Sequence, residues 1–154
     1  MHSRELPHTE RTSLFRSFKG IGRRRQILVI EDNIAIGSVL SRALSRAGYE
    51  VSHAEDSSEG LNLFYNSPFD LVITDLHMPR MDGWTLASHI KKYSPHTPIL
   101  LITGQGKDAI LEKIKGSSVD FAIFKPSTLE EIRKTVHRML HNTLSKEIVR
   151  MKQS

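Results

Sequence analysis

Five short apolar runs recur along the chain, at residues 26–30 (QILVI), 71–74, 99–103 and 121–124, with a weaker one at 49–53. Three are continuous rather than alternating, as expected of strands covered by helices on both faces of a parallel sheet. Between the runs lie amphipathic segments of helical length. Asn33 is placed to N-cap a helix that carries Ile36, Leu40, Ala43 and Leu44, and Gly48 is placed to end it. Residues 57–65 carry Leu61 and Phe64, Asp82 opens a segment with Leu86 and Ile90, and residues 107–115 group Ile110, Leu111 and Ile114. After Pro126, Ser127 with Glu130 and Thr128 with Glu131 both fit a capping box, followed by Leu129, Ile132, Val136 and Leu140 on one face. Five β-α units in succession predict a doubly wound α/β fold.

Composition narrows the chemistry. With 154 residues, 38% hydrophobic and 25% charged, the chain suits one domain with a proper core plus tails. It holds no cysteine, which excludes disulfide frameworks, thiolate catalysis and zinc-finger chemistry and suits a reducing cytoplasm. No apolar run approaches the roughly 18 residues of a membrane span, and no signal-peptide core follows the start.

The net charge of +5 is local. Residues 1–25 contain seven basic residues (Arg4, Arg11, Arg16, Lys19, Arg23, Arg24, Arg25) against Glu5 and Glu10, and the remaining charges balance. The expected layout is therefore a basic, disordered arm at 1–25, a folded unit at 26–140 and a helix extension or tail at 141–154. The arm reads as a solvated tail or as a contact for a membrane surface or nucleic acid.

In doubly wound folds, chemistry gathers at the carboxyl ends of the strands. The first run ends in Glu31–Asp32, the third in Asp75, the fourth in Thr103–Gly104 and the fifth in Lys125–Pro126. Any one of these alone is an ordinary solvated turn residue. Together they bring three carboxylates, a hydroxyl and an ammonium to one edge. Crowded carboxylates raise their own pKa values, and a hard divalent cation such as Mg²⁺ resolves the conflict while leaving positions for phosphate oxygens.

The stretches ILVIEDN (27–33), DLVITDLHMPRMDG (70–83), ILLITG (99–104) and FKP (124–126) resemble the receiver domain of bacterial-type two-component response regulators, over about residues 26–140. The resemblance implies a flavodoxin-like five-stranded sheet of order 2-1-3-4-5 in a cytoplasmic, stand-alone receiver. It implies that Asp75 accepts a phosphoryl group from a sensor histidine kinase or histidine phosphotransfer protein. Asp32 and Asp75 would bind Mg²⁺ directly, Glu31 through water, and the backbone carbonyl of His77 would complete the protein ligands. Lys125 and Thr103 would bracket the phosphoryl oxygens, with Gly104 leaving room and a cis Lys125–Pro126 bond fixing the lysine. A downstream protein would bind through the fourth and fifth helices. The protein is then a switch and not an enzyme, beyond accepting and losing its own phosphoryl group. A related hydrolase would need an aspartate where His77 stands, and no G-x-x-x-x-G-K-[ST] loop occurs. A phosphorylation-independent adaptor and a receiver excised from a longer regulator are the alternatives.

Some positions depart from the family pattern or lie outside it. Many receivers carry an aromatic three residues before the lysine, where this chain has Ala122. Phe121 and Phe124 flank that position, and strand alternation is expected to give both the opposite face. Activation is therefore expected to move the loop after Thr103 and the 107–115 helix without a rotating ring. The His77 imidazole is expected to face solvent, the other histidines (2, 8, 53, 89, 96, 137, 141) to be surface residues, and Trp84 to be a packing residue. About 14 residues follow Leu140, so no DNA-binding or enzymatic output domain is expected. Leu144 and Ile148 continue the spacing of Val136 and Leu140 and offer a stripe to a partner or a second copy, or belong to a fraying linker.

Overall fold

A computed structural model describes residues 23–141. The basic arm up to residue 22 and the stripe at Leu144 and Ile148 lie outside the described residues. Within them, strands and helices alternate: β1 (Gln26–Ile30), α1 (Ile34–Arg46), β2 (Glu50–Ala54), α2 (Ser57–Asn66), β3 (Leu71–Asp75), α3 (Gly83–Tyr93), β4 (Ile99–Thr103), α4 (Lys107–Ile114), β5 (Phe121–Phe124) and α5 (Leu129–Leu140). The five strands are all parallel, in the order β2-β1-β3-β4-β5. The weakest run begins one residue later than expected, and β3 extends to include Asp75.

Strand alternation divides the core in two. Ile27, Val29, Leu71, Ile73, Leu100, Ile102 and Ile123 pack with Leu40 and Leu44 of α1 and Ile132, Val136 and Leu140 of α5. The intervening residues, among them Leu28, Ile30, Val72, Ile99 and Leu101, pack with Phe64 of α2, Leu86 and Ile90 of α3 and Ile110 of α4. Both faces of the central strands are thus covered, which is why their sequences are apolar without alternation.

The helix ends follow local chemistry. The side chains of Asn33, Asp56, Asp82 and Thr128 accept from the backbone N–H groups of Ile36, Glu59, Thr85 and Glu131. Of the two N-cap candidates that the sequence offers, Thr128 is the one used. At the amino edge of the sheet, Asp70 accepts from Gln26 N at 2.7 Å and Asp120 from Ile99 N at 2.8 Å, so two loop carboxylates satisfy the leading N–H groups of β1 and β4. Asp120 also pairs with Lys91 of α3 at 2.7 Å.

Gly48, just past the end of α1, has φ +102°, and a Cβ there would meet no heavy atom within 4 Å. Its role is conformational alone. Gly48→Ala is therefore expected to lower stability by about 1 kcal/mol through backbone strain, without repacking, as read by urea denaturation.

Candidate functional site

The carboxyl ends of β1, β3, β4 and β5 lie side by side, and the side chains singled out in the sequence converge there. Glu31 and Asp32 follow β1, Asp75 closes β3, Thr103 closes β4 and Lys125 follows β5. One oxygen each from Glu31, Asp32 and Asp75 lies within 4.8 Å of the others. Glu31 is buried, Asp32 exposed and Asp75 between them. Lys125 Nζ stands 3.6 Å from Asp75 Oδ2, within ion-pair range but longer than a charged hydrogen bond. It offsets part of the acid charge from one side.

Backbone contacts hold Asp75 in place. Its Oδ1 accepts from Leu76 N at 2.7 Å, and its carbonyl accepts from the Thr74 hydroxyl at 2.9 Å. A Cβ at Gly83, the first residue of α3, would come within 2.6 Å of that same carbonyl. The glycine of the MDG stretch therefore lets α3 begin against the strand end. Gly83 N donates to Leu76 O at 2.8 Å, and Ser57 Oγ donates to Met81 O at 2.8 Å, tying the intervening loop down at both sides. Within that loop Arg80 adopts a positive φ of 72°. The Lys125–Pro126 bond is cis, and Lys125 N donates to Thr103 O at 2.7 Å.

The electrostatics follow from the crowding. The Glu31 carboxyl is pushed up from its ordinary 4.5 to about 8, first by burial, then by its hydrogen bond with Asp75 and by the Asp75 charge, while Lys125 pulls the other way. Three carboxylates crowded this closely are a cluster whose repulsion a divalent cation would offset. All three donors are hard oxygens, which fits Mg²⁺ better than a softer metal.

The sequence pattern of the response regulator receiver domain family matches residues 27–137. The chain belongs to that family. The receiver is 32% identical over 126 residues to the probable transcriptional regulatory protein SilR of Salmonella typhimurium, covering 79% of this chain and 54% of that one. It is 40% identical over 113 residues to the uncharacterized transcriptional regulatory protein YrkP of Bacillus subtilis, covering 72% of this chain and 47% of that one. The chain thus spans about half the length of the curated relatives it matches. Among solved structures, the chemotaxis protein CheY4 of Vibrio cholerae is 31% identical with a TM-score of 0.72, covering 77% of this chain and 100% of that one.

Two expectations change in the structure. Phe121 and Phe124 are three residues apart on a strand and cannot share a face. Phe121 packs with the α1–α5 core, whereas Phe124 packs with Ala122 on the α2–α4 side. Phe124 is also in register with Thr103, so an aromatic ring does stand next to the threonine, although not at position 122. His53 is likewise more than a surface residue: it is half-buried, with Nε2 2.9 Å from the Glu31 carbonyl oxygen.

Other residues near the site left no trace in the sequence pattern. The fully buried Thr103 hydroxyl accepts from Gln105 N at 3.1 Å, and Gln105 Nε2 reaches the exposed His77 Nε2 at 2.7 Å. The His77 imidazole therefore bridges to the loop after β4 rather than standing alone. Trp84 is half-buried against the α2–α4 core, with Lys113 Nζ 4.9 Å from its ring centre. His96, His137 and His141 are exposed and His89 is intermediate; His137 and His141 stack at 3.9 Å between ring centres.

The raised Glu31 pKa has a definite sign. Between 4.5 and about 8 the folded receiver holds a proton that the unfolded chain has released. Without a cation, this contribution to stability is complete below 4.5 and lost as pH rises toward 8. In EDTA, urea denaturation is expected to show wild type losing stability relative to Glu31→Gln as pH is raised from 5 to 8. A wild-type minus variant difference that stays flat across this range would contradict the assignment.

Proposed function

We propose that this receiver is a phosphorylation-driven switch in which Asp75 accepts a phosphoryl group from the phosphohistidine of a sensor histidine kinase or histidine phosphotransfer protein. The observation that carries the reading is the Glu31, Asp32 and Asp75 oxygen cluster with Lys125 Nζ 3.6 Å from Asp75. In the transfer, an Asp75 carboxylate oxygen forms the new bond to phosphorus, and the bond from phosphorus to the donor imidazole breaks. The imidazole leaves with the electron pair and takes a proton from solvent.

Glu31, Asp32, Asp75 and the His77 carbonyl would hold Mg²⁺. When bound, the ion offsets the negative charge on the acids and on the phosphoryl oxygens. The chain's own groups divide the remaining work. Lys125 is close enough to Asp75 to stabilise it at rest and to neutralise a phosphoryl oxygen afterwards. Thr103 already accepts from Gln105 N, so its hydroxyl proton is the group it offers to that oxygen. The Lys125 backbone, bonded to the Thr103 carbonyl, keeps these two groups in fixed relation.

The donor would approach across a neighbouring apolar groove of about 470 Å³, lined by Ile36, Val39, Leu40, Pro126, Leu129 and Lys125 among others. The groove shares Ile36, Leu40, Ile102 and Lys125 with the crevice around Asp75, so a helix laid along it would bring a histidine to the acceptor. Ile36, Val39 and Leu129 are 46%, 53% and 45% exposed, an apolar surface that suits such a partner. Output would follow from movement of Thr103, transmitted to α4 and the Phe124 side, with a downstream protein reading α4 and α5. A second reading, that the switch is one part of a longer regulator, is favoured by the length of the transcriptional relatives it matches.

Acetyl phosphate with Mg²⁺ is expected to add the mass of one phosphoryl group to wild type and none to Asp75→Ala, read by intact mass spectrometry. An equal gain in both would remove Asp75 as the acceptor. Lys125→Ala is expected to retain the fold but slow phosphoryl uptake at least tenfold, in the range typical of losing one charge-stabilising group.

A further inference from the structure

We propose that His53 is a positioning residue for the acid pocket: its hydrogen bond to the Glu31 carbonyl sets the orientation of the Glu31–Asp32 peptide and so prearranges the cation-binding carboxylates. This rests on the reading of Glu31, Asp32 and Asp75 as a divalent-cation site. His53 lies on the edge strand β2, in register with Val29, whose side chain belongs to the α1–α5 core. Its Nε2 is 2.9 Å from the Glu31 carbonyl oxygen. A carbonyl oxygen only accepts, so Nε2 carries the proton and donates. The Glu31 N–H in turn donates to the Ala54 carbonyl at 3.0 Å. Strand β2 therefore holds the Glu31 residue at both of its backbone polar groups, one through the main chain and one through this imidazole.

A second observation shows that the ring has been given its place. Gly37 sits inside α1, where glycine is among the poorest helix formers. A Cβ there would stand 2.1, 2.2 and 2.9 Å from His53 Nε2, Cε1 and Cδ2. No side chain fits at position 37 while the ring reaches Glu31. The imidazole is thus wedged between α1 and the end of β1, with its donor turned toward the residue that carries the buried acid. Loss of the wedge frees the peptide leading to Asp32, which is exposed.

Calorimetric titration of the full chain with Mg²⁺ tests the assignment, using His53→Gln, which keeps a donor at similar reach, His53→Met, which keeps the bulk without the donor, and Gly37→Ala, which displaces the ring. His53→Met and Gly37→Ala are expected to weaken Mg²⁺ binding about tenfold, the lower end of what losing an outer-shell partner costs. His53→Gln is expected to remain close to wild type. Thermal unfolding in EDTA, run in parallel, reports any purely structural loss. Unchanged Mg²⁺ affinity in His53→Met, or equal weakening in His53→Gln and His53→Met, would overturn the positioning role while leaving the cation site standing. A wild-type chain that binds no Mg²⁺ would overturn both.

Discussion

Three carboxylates held within one small volume form the constraint around which the rest of the structure is arranged. Burial and the neighbouring acids hold the Glu31 carboxyl well above its ordinary range, and the fold accommodates the crowding because Lys125 faces Asp75 and because the surrounding backbone is tied down. Asp75 is fixed by Leu76 N and Thr74 Oγ1, and α3 abuts its carbonyl through Gly83. Charge crowding of this kind is held only where the scaffold is stiff. The sheet supplies that stiffness: β1, β3 and β4 are central or near-central strands, buried on both faces, and they deliver the acids and Thr103 at their ends.

The sequence made the sheet legible for a simple reason. Strands covered on both sides must be apolar throughout, so Gln26–Ile30, Leu71–Asp75 and Ile99–Thr103 stand out against the helices. The capping residues Asn33, Asp82 and Thr128 were equally readable, because capping is a matter of residues three apart. The acids, Thr103 and Lys125 were visible as a set because each closes a strand or stands within two residues of its end.

What escaped detection depends on contacts between distant residues. The edge strand β2 runs from an exposed Glu50 through three half-buried positions to a buried Ala54, so its apolar signal is weak and its start lies one residue later than expected. His53 looked like any surface histidine, since nothing near it in sequence discloses that Gly37 and Glu31 lie against its ring. The bridge from Gln105 to His77 spans 28 positions and leaves no periodic trace. The face of Phe124 was a different matter. Two-residue alternation from Ala122 already places it beside Thr103, and the parallel register confirms the placement.

That alternation also sorts the pocket by side of the sheet. Asp75 continues the series of Leu71 and Ile73, and together with Glu31 and Lys125 it lines the crevice on the α1–α5 side, where the apolar groove also lies. Thr103 continues the series of Ile99 and Leu101 toward α2, α3 and α4. The sheet therefore separates the acid crevice and its groove from the side that Thr103 faces, while both open at the same carboxyl edge. A pocket built this way belongs to neither helix layer alone: it exists only where the two faces of the sheet meet at the strand ends.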